Sequence, residues 1–75
     1  MHRYTIILQP DTEQGGYWVT VPTLPGCVSQ GDTLQDAIAH AQEAIALYLE
    51  TLTARGEPIP EETEHPQAIV VDVAA

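Results

Sequence analysis

The chain has 75 residues, with eleven acidic side chains against two arginines and no lysine, for a net charge of −9. A single small domain with a marginal core is the most this length supports, and the charge disfavours a phosphate-binding surface while favouring a basic protein partner. Cys27 is the sole cysteine, so no disulfide can form; a lone thiol, no signal peptide and no apolar run near the ~20 residues of a membrane span point to the cytoplasm and to no membrane association.

Tyr4 to Gln9 reads as a first strand, with Tyr4, Ile6 and Leu8 on one face. Pro10 to Gly16 is a polar hairpin loop carrying Asp11 and Glu13. Tyr17 to Val21 is a second strand, alternating Tyr17, Val19 and Val21 with Trp18 and Thr20. Pro22 ends it, since proline has no N–H for an interior ladder. Pro25-Gly26 suits the centre of a type II turn, where proline presets φ and glycine accepts a positive φ. Cys27 to Gln30 is a short third strand, which Gly31-Asp32 breaks. Thr33 then reads as the N-cap of a helix, with Asp36 three residues on in place of the usual glutamate of a capping box.

The helix is expected over Leu34 to Arg55. Leu34, Ile38, Ala41, Ile45, Tyr48 and Leu52 recur at spacings of four and three and make one apolar stripe. Gly56 suits the position just after the helix, and Pro58 and Pro60 prevent its continuation. An acidic, proline-containing connection from Glu57 to Gln67 holds Glu61, Glu62 and Glu64. Ala68 to Val73 is apolar except for Asp72 and reads as a last strand, buried on both faces and parallel to the first.

Thus the elements run β-β-β-α-β. The expected fold is α+β, a four-stranded mixed sheet of order 3-2-1-4 with one helix on one face. The uncovered face would present Ile7, Trp18 and Val70, which is too apolar for water and suits a homo-oligomer, a dimer or a tetramer.

The pieces Val21-Pro22-Thr23-Leu24-Pro25-Gly26-Cys27, Gln30-Gly31-Asp32-Thr33, Asp36-Ala37-Ile38 and Gln42-Glu43-Ala44-Ile45, in this order behind a glycine-containing hairpin, resemble the HicB family of antitoxins. Pro25, Gly26, Cys27, Gly31, Asp32 and Thr33 carry the structural motif. The resemblance covers nearly the whole of residues 1–75 and implies a single HicB-like domain with a partial RNase H-like fold. It implies a partner too: a small basic HicA-like toxin that cleaves messenger RNA, silenced by direct binding in a type II toxin–antitoxin system. Many HicB proteins carry a DNA-binding segment after the last strand, whereas these 75 residues are expected to hold none, and no direct nucleic-acid binding is expected. On the acidic surface, Asp11, Glu13, Glu61, Glu62 and Glu64 are the candidate contacts for such a toxin.

Two other readings come from other classes. One is a stand-alone oligomeric binding protein with no toxin. The other is a weak metal-dependent nuclease, suggested by the RNase H-like implication. Such a site needs several carboxylates converging on Mg²⁺. Glu43 and Asp72 lie on suitable elements, but the first strand offers none, so no enzyme, catalytic residue, metal site or cofactor is expected. His2, His40 and His65 lie on different elements and lack zinc-ligand spacing.

Overall fold

The computed structural model describes residues 1–75. Three strands, β1 (Ile7–Pro10), β2 (Tyr17–Thr20) and β3 (Val28–Gly31), are followed by one helix, α1 (Leu34–Ala54). The strands form an antiparallel meander of order β1-β2-β3. Ile7 stands opposite Thr20, which stands opposite Val28; Gln9, Trp18 and Gln30 align in the same way.

Strand alternation sorts the side chains as the pattern anticipates. Val19 is buried between the sheet and Ala37 and Ala41 of α1, with Ile6, Leu8 and Tyr17 packed around it. A second cluster joins Val21, Leu24 and Cys27 to Tyr4, Ile6, Ala44, Ile45, Tyr48 and Leu49. Only six residues are fully buried, a thin core that leaves little stability in reserve.

Two consecutive turns join β2 to β3. Leu24 N–H donates to Val21 C=O at 3.0 Å, and Cys27 N–H donates to Leu24 C=O at 3.0 Å. The second turn centres on Pro25-Gly26, and Gly26 has φ +81°, as a type II turn requires. Together the turns tuck Leu24 beneath the helix with no exposed surface. The hydroxyl of Tyr48 ties α1 to the same turn by donating to Pro25 C=O at 2.9 Å.

The helix begins and ends as its local chemistry dictates. Thr33 has extended backbone, and its hydroxyl accepts from Asp36 N–H at 3.1 Å. At the other end Glu57 N–H donates to Leu52 C=O at 2.9 Å and Gly56 N–H to Thr53 C=O at 3.1 Å. With Gly56 at φ +70°, this is a complete Schellman motif.

The helix stripe departs from expectation in its angle. Ala37 and Ala41 are the fully buried helix residues, while Leu34 and Ile38 stand at the margin, largely exposed. The cause is the close approach of α1 to β3. A Cβ on Gly31 would lie 2.2 Å from Ala37 N and 2.6 Å from Ala37 Cα, so only small residues fit between the two backbones.

The expected fourth strand does not form within the chain. The sheet has three strands, so the order 3-2-1-4 is corrected to 3-2-1. Ala68–Val73 forms no strand, and Ile69, Val70, Val71 and Val73 are exposed. The reason lies in the preceding connection. Glu62 is fastened beside Thr5 by hydrogen bonds at 2.8 and 2.6 Å. The chain bends at Thr63 and Glu64, and His65 stays against the same cluster, so the connection is held at the Thr5 end of the first strand and no backbone hydrogen bond brings Ala68–Val73 onto the β1 edge.

Candidate partner-binding surface

Asp11 organises the hairpin loop. Its carboxylate accepts from Glu13 N–H at 3.0 Å, Gln14 N–H at 3.1 Å and the Trp18 indole N–H at 3.0 Å. The Gln14 and Glu13 amides, in that order of effect, and the Trp18 indole hold its carboxyl below the usual range, against a weaker opposing effect of desolvation. Its backbone closes the loop through Asp11 N–H to Gly16 C=O and Gly15 N–H to Asp11 C=O, both at 2.9 Å. The loop is thus a rigid platform with Glu13 exposed on it.

Beside the platform lies an open polar cleft of about 370 Å³ between the hairpin and the start of α1. Asp11, Asp32, Asp36, Gln30, Trp18 and His40 are among its lining residues. His40 is fixed there through Nδ1 against Gln30 C=O at 2.7 Å. Asp32 was expected to serve only the helix start; its place on the same cleft as Asp11 and Asp36 is a tertiary result. The signal for it was the short Gln30-to-Asp36 segment, which folds back against the hairpin at the close Gly31 contact.

A second cluster forms where the connection after α1 meets the first strand. The Glu62 side chain, only 1% exposed, accepts from Thr5 N–H, from the Thr5 hydroxyl and, at 3.0 Å, from the Thr23 hydroxyl, and it contacts His65 Nδ1. The Thr5 hydroxyl and N–H, then His65 and Thr23, lower its pKa from 4.5 to about 2. Nearby, the Tyr4 hydroxyl donates to Pro60 C=O at 2.5 Å. Burial, then the charges of Glu61 and Glu62, push that phenol upward. Glu62 is therefore engaged within the chain, and it holds Glu61 and Glu64 in place as exposed carboxylates on either side.

The three residues expected on the uncovered sheet face are separated in part. Ile7 and Trp18 lie on that face, Trp18 about half exposed; Val70 lies on the unpaired tail, 97% exposed. Cys27 is buried against Val21 and Leu24, and that burial raises its pKa, so the thiol is packing rather than a nucleophile. No group of three or more His, Cys, Asp or Glu side chains converges in a way that could hold a metal ion. Glu43 is exposed on the helix and Asp72 on the tail. No helix is long and apolar enough to cross a membrane.

Comparison with known proteins returns one family. The profile described as the HicB_like antitoxin of bacterial toxin-antitoxin system matches residues 4–71. A UPF0150 protein of Synechocystis is 45% identical over 62 residues, covering 83% of this chain and 77% of its own. Antitoxin HicB 1 of Photorhabdus laumondii is 38% identical over 58 residues, but this chain spans only 37% of its length. Among solved structures, the N-terminal domain of the Burkholderia pseudomallei antitoxin HicB superposes with a TM-score of 0.66 at 39% identity, covering 83% of this chain and 69% of that one.

Proposed function

Because the chain belongs to the HicB-like antitoxins of bacterial toxin–antitoxin systems, we propose that it neutralises a small basic HicA-like toxin by binding it directly. The observation that carries this reading is the acidic surface without counter-cations. Asp11, Asp32 and Asp36 line one cleft, Glu13, Glu61 and Glu64 are exposed, and the one contact of a carboxylate with a basic side chain is that of the internal Glu62 with His65. A toxin that grips RNA needs a basic face, and these carboxylates compete with phosphate for it. They also speed encounter at low salt. Asp11, Glu13, Glu61 and Glu64 make the contacts; Glu62 keeps its neighbours in position. Nothing in this role requires chemistry from the antitoxin, so it acts without catalysis, cofactor or nucleic-acid binding, in the cytoplasm.

The test is recovery of a small Lys- and Arg-rich protein bound to the chain from its native cytosol, followed by assay of that partner's cleavage of messenger RNA. The chain should suppress cleavage at equimolar ratio. Joint replacement Asp11→Asn, Glu13→Gln, Glu61→Gln and Glu64→Gln should slow association and flatten its dependence on salt. An unchanged on-rate would leave acidity as a solubility feature only.

A homo-oligomer belongs to the same proposal. A thin core, an uncovered sheet face with Ile7 and Trp18, and an exposed Val70 support assembly. If no toxin is recovered, a stand-alone oligomeric binding protein is the reading that remains.

A further inference from the structure

We infer that a basic protein partner docks on the sheet face turned away from α1, covering Trp18 and Val28 with an apolar centre and reaching acidic groups at both ends of that face with Lys or Arg side chains. This rests on the partner-binding reading above and says where on the chain that partner sits.

The strand register defines the face. Ile7, Thr20 and Val28 form one cross-strand row, and Gln9, Trp18 and Gln30 form the next. Val19, between Trp18 and Thr20, is buried against Ala37 and Ala41 of the helix, so the six lie on the opposite side of the sheet. None of the six is charged. Trp18 is 48% and Val28 59% exposed, which leaves an aromatic and an aliphatic side chain open at the middle of a neutral strip.

Carboxylates stand at both ends of the strip. At the hairpin end Asp11 holds the Trp18 indole N–H, and Trp18 and Gln30 border the cleft that Asp32 and Asp36 also line. At the other end Tyr4, Ile6 and Leu8 pack towards α1. Thr5 alternates with them and emerges on the Ile7 side, where its hydroxyl meets Glu62. Glu61 and Glu64 adjoin that cluster, both exposed. Arg3 shares a small pocket with Glu61 and Glu62 but forms no ion pair with either, and the three glutamates outnumber it. From Thr5 to Gln9 the strip is about 13 Å long. Two acidic groups that are far apart in the sequence thus flank one face. The pattern is that of an interface, an apolar centre with an aromatic anchor inside a polar rim.

The sign of the rim decides the occupant. A twofold contact of this face with a second copy, strands parallel or antiparallel, lays one acidic end on another, in chains of net charge −9 each. Like charges so placed oppose association. A nucleic-acid backbone is opposed for the same reason. A protein with basic side chains on both sides of an apolar patch has the complementary pattern. The exposed tail with Val70 is then the apolar surface left for assembly.

The experiment offers the full chain two synthetic peptides of equal charge and measures affinity by titration calorimetry. One has leucines between arginine-rich ends; the other has glycines between the same ends. The leucine peptide should bind about tenfold or more tightly than the glycine peptide, and added salt should weaken both. Trp18→Ser and Val28→Ser should each remove the preference for leucine. Val28 is exposed, so its replacement should leave thermal melting unchanged and separates docking from folding. Equal affinity for the two peptides, or a preference that survives both replacements, overturns the inference. So does a dimer of the parent chain that either replacement dissociates, since the face then belongs to a second copy. A toxin silenced as well by the Val28→Ser chain as by the parent also overturns it, and leaves the proposed function standing on another surface. Absence of any toxin, with the leucine preference intact, removes that function and keeps the docking face.

Discussion

Gly31 at the end of β3 and Ala37 in the first turn of α1 meet backbone to backbone: a Cβ on Gly31 would stand 2.2 Å from the Ala37 nitrogen. No side-chain rotation relieves such an overlap, because the obstructing atoms are main chain. Gly31→Ala must therefore push the helix off the sheet and loosen Val19, Ala37 and Ala41 together. The cost expected of overpacking is about 1–3 kcal/mol or more. Thermal melting should show it as a clear fall in Tm. At Gly15 an added Cβ meets nothing within 4 Å, though φ is +80°, so Gly15→Ala should cost only the backbone strain of about 1 kcal/mol. Equal losses at the two positions would argue against the close contact.

Leu24→Ala tests the turn as part of the core. Leu24 has no exposed surface and packs with Val21 and Cys27 against the helix. Removing a fully buried leucine side chain costs about 2–5 kcal/mol, a large part of the stability a small domain has. Denaturant titration should show a markedly lower midpoint, with the variant partly unfolded in buffer if the chain is near the lower limit.

Acid should unfasten the connection after the helix. Glu62 has its pKa lowered from 4.5 to about 2 in the folded chain. Its contribution is fully present above the unfolded value of 4.5 and is lost as pH falls from there towards 2. Stability measured against pH should therefore decline across that interval. Glu62→Gln should flatten the decline while lowering stability at neutral pH, since an amide cannot accept from Thr5, Thr23 and His65 as a carboxylate does. A parallel shift with the slope intact would place the acid sensitivity elsewhere.

The hairpin offers a spectroscopic test. Trp18 is the only tryptophan, and its indole N–H is held by Asp11 at 3.0 Å. Asp11→Ala removes that acceptor and the two amide bonds to Glu13 and Gln14. The indole should become more mobile, its emission should move to longer wavelength, and acrylamide should quench it more readily. Unchanged emission would mean that the loop does not depend on the carboxylate.

Much of this was legible in the sequence where the determining chemistry is local. The Pro25-Gly26 turn, the Thr33 cap and the Gly56 termination depend on a few adjacent residues, and each appears where the residues place it. The three strands and the helix follow from short-period patterns. What failed was long-range. Of the hydrophobic stripe, Ala41, Ile45 and Tyr48 pack inward, but the contact with Gly31 selects size, and Ala37, off the stripe, occupies it while Leu34 and Ile38 are exposed. Ala68–Val73 has strand composition, yet composition does not say whether an edge lies within reach. Among Glu61, Glu62 and Glu64 nothing local singles out Glu62, whose principal partner, Thr5, is 57 positions away. The placement of Asp32 and Asp36 on the Asp11 cleft was missed for the same reason.

The Thr5–Glu62 clasp also has a bearing on the order of folding. Closing a span of 57 positions requires ordering most of the chain, so it carries a loop-closure cost that the hairpin and the helix do not. During synthesis the meander and most of the helix have left the ribosome before Glu62 is available. For that interval the Thr5 amide and hydroxyl and the Thr23 hydroxyl have no carboxylate to meet. In this protein the last long-range tie to form is set by how far along the sequence a single glutamate lies.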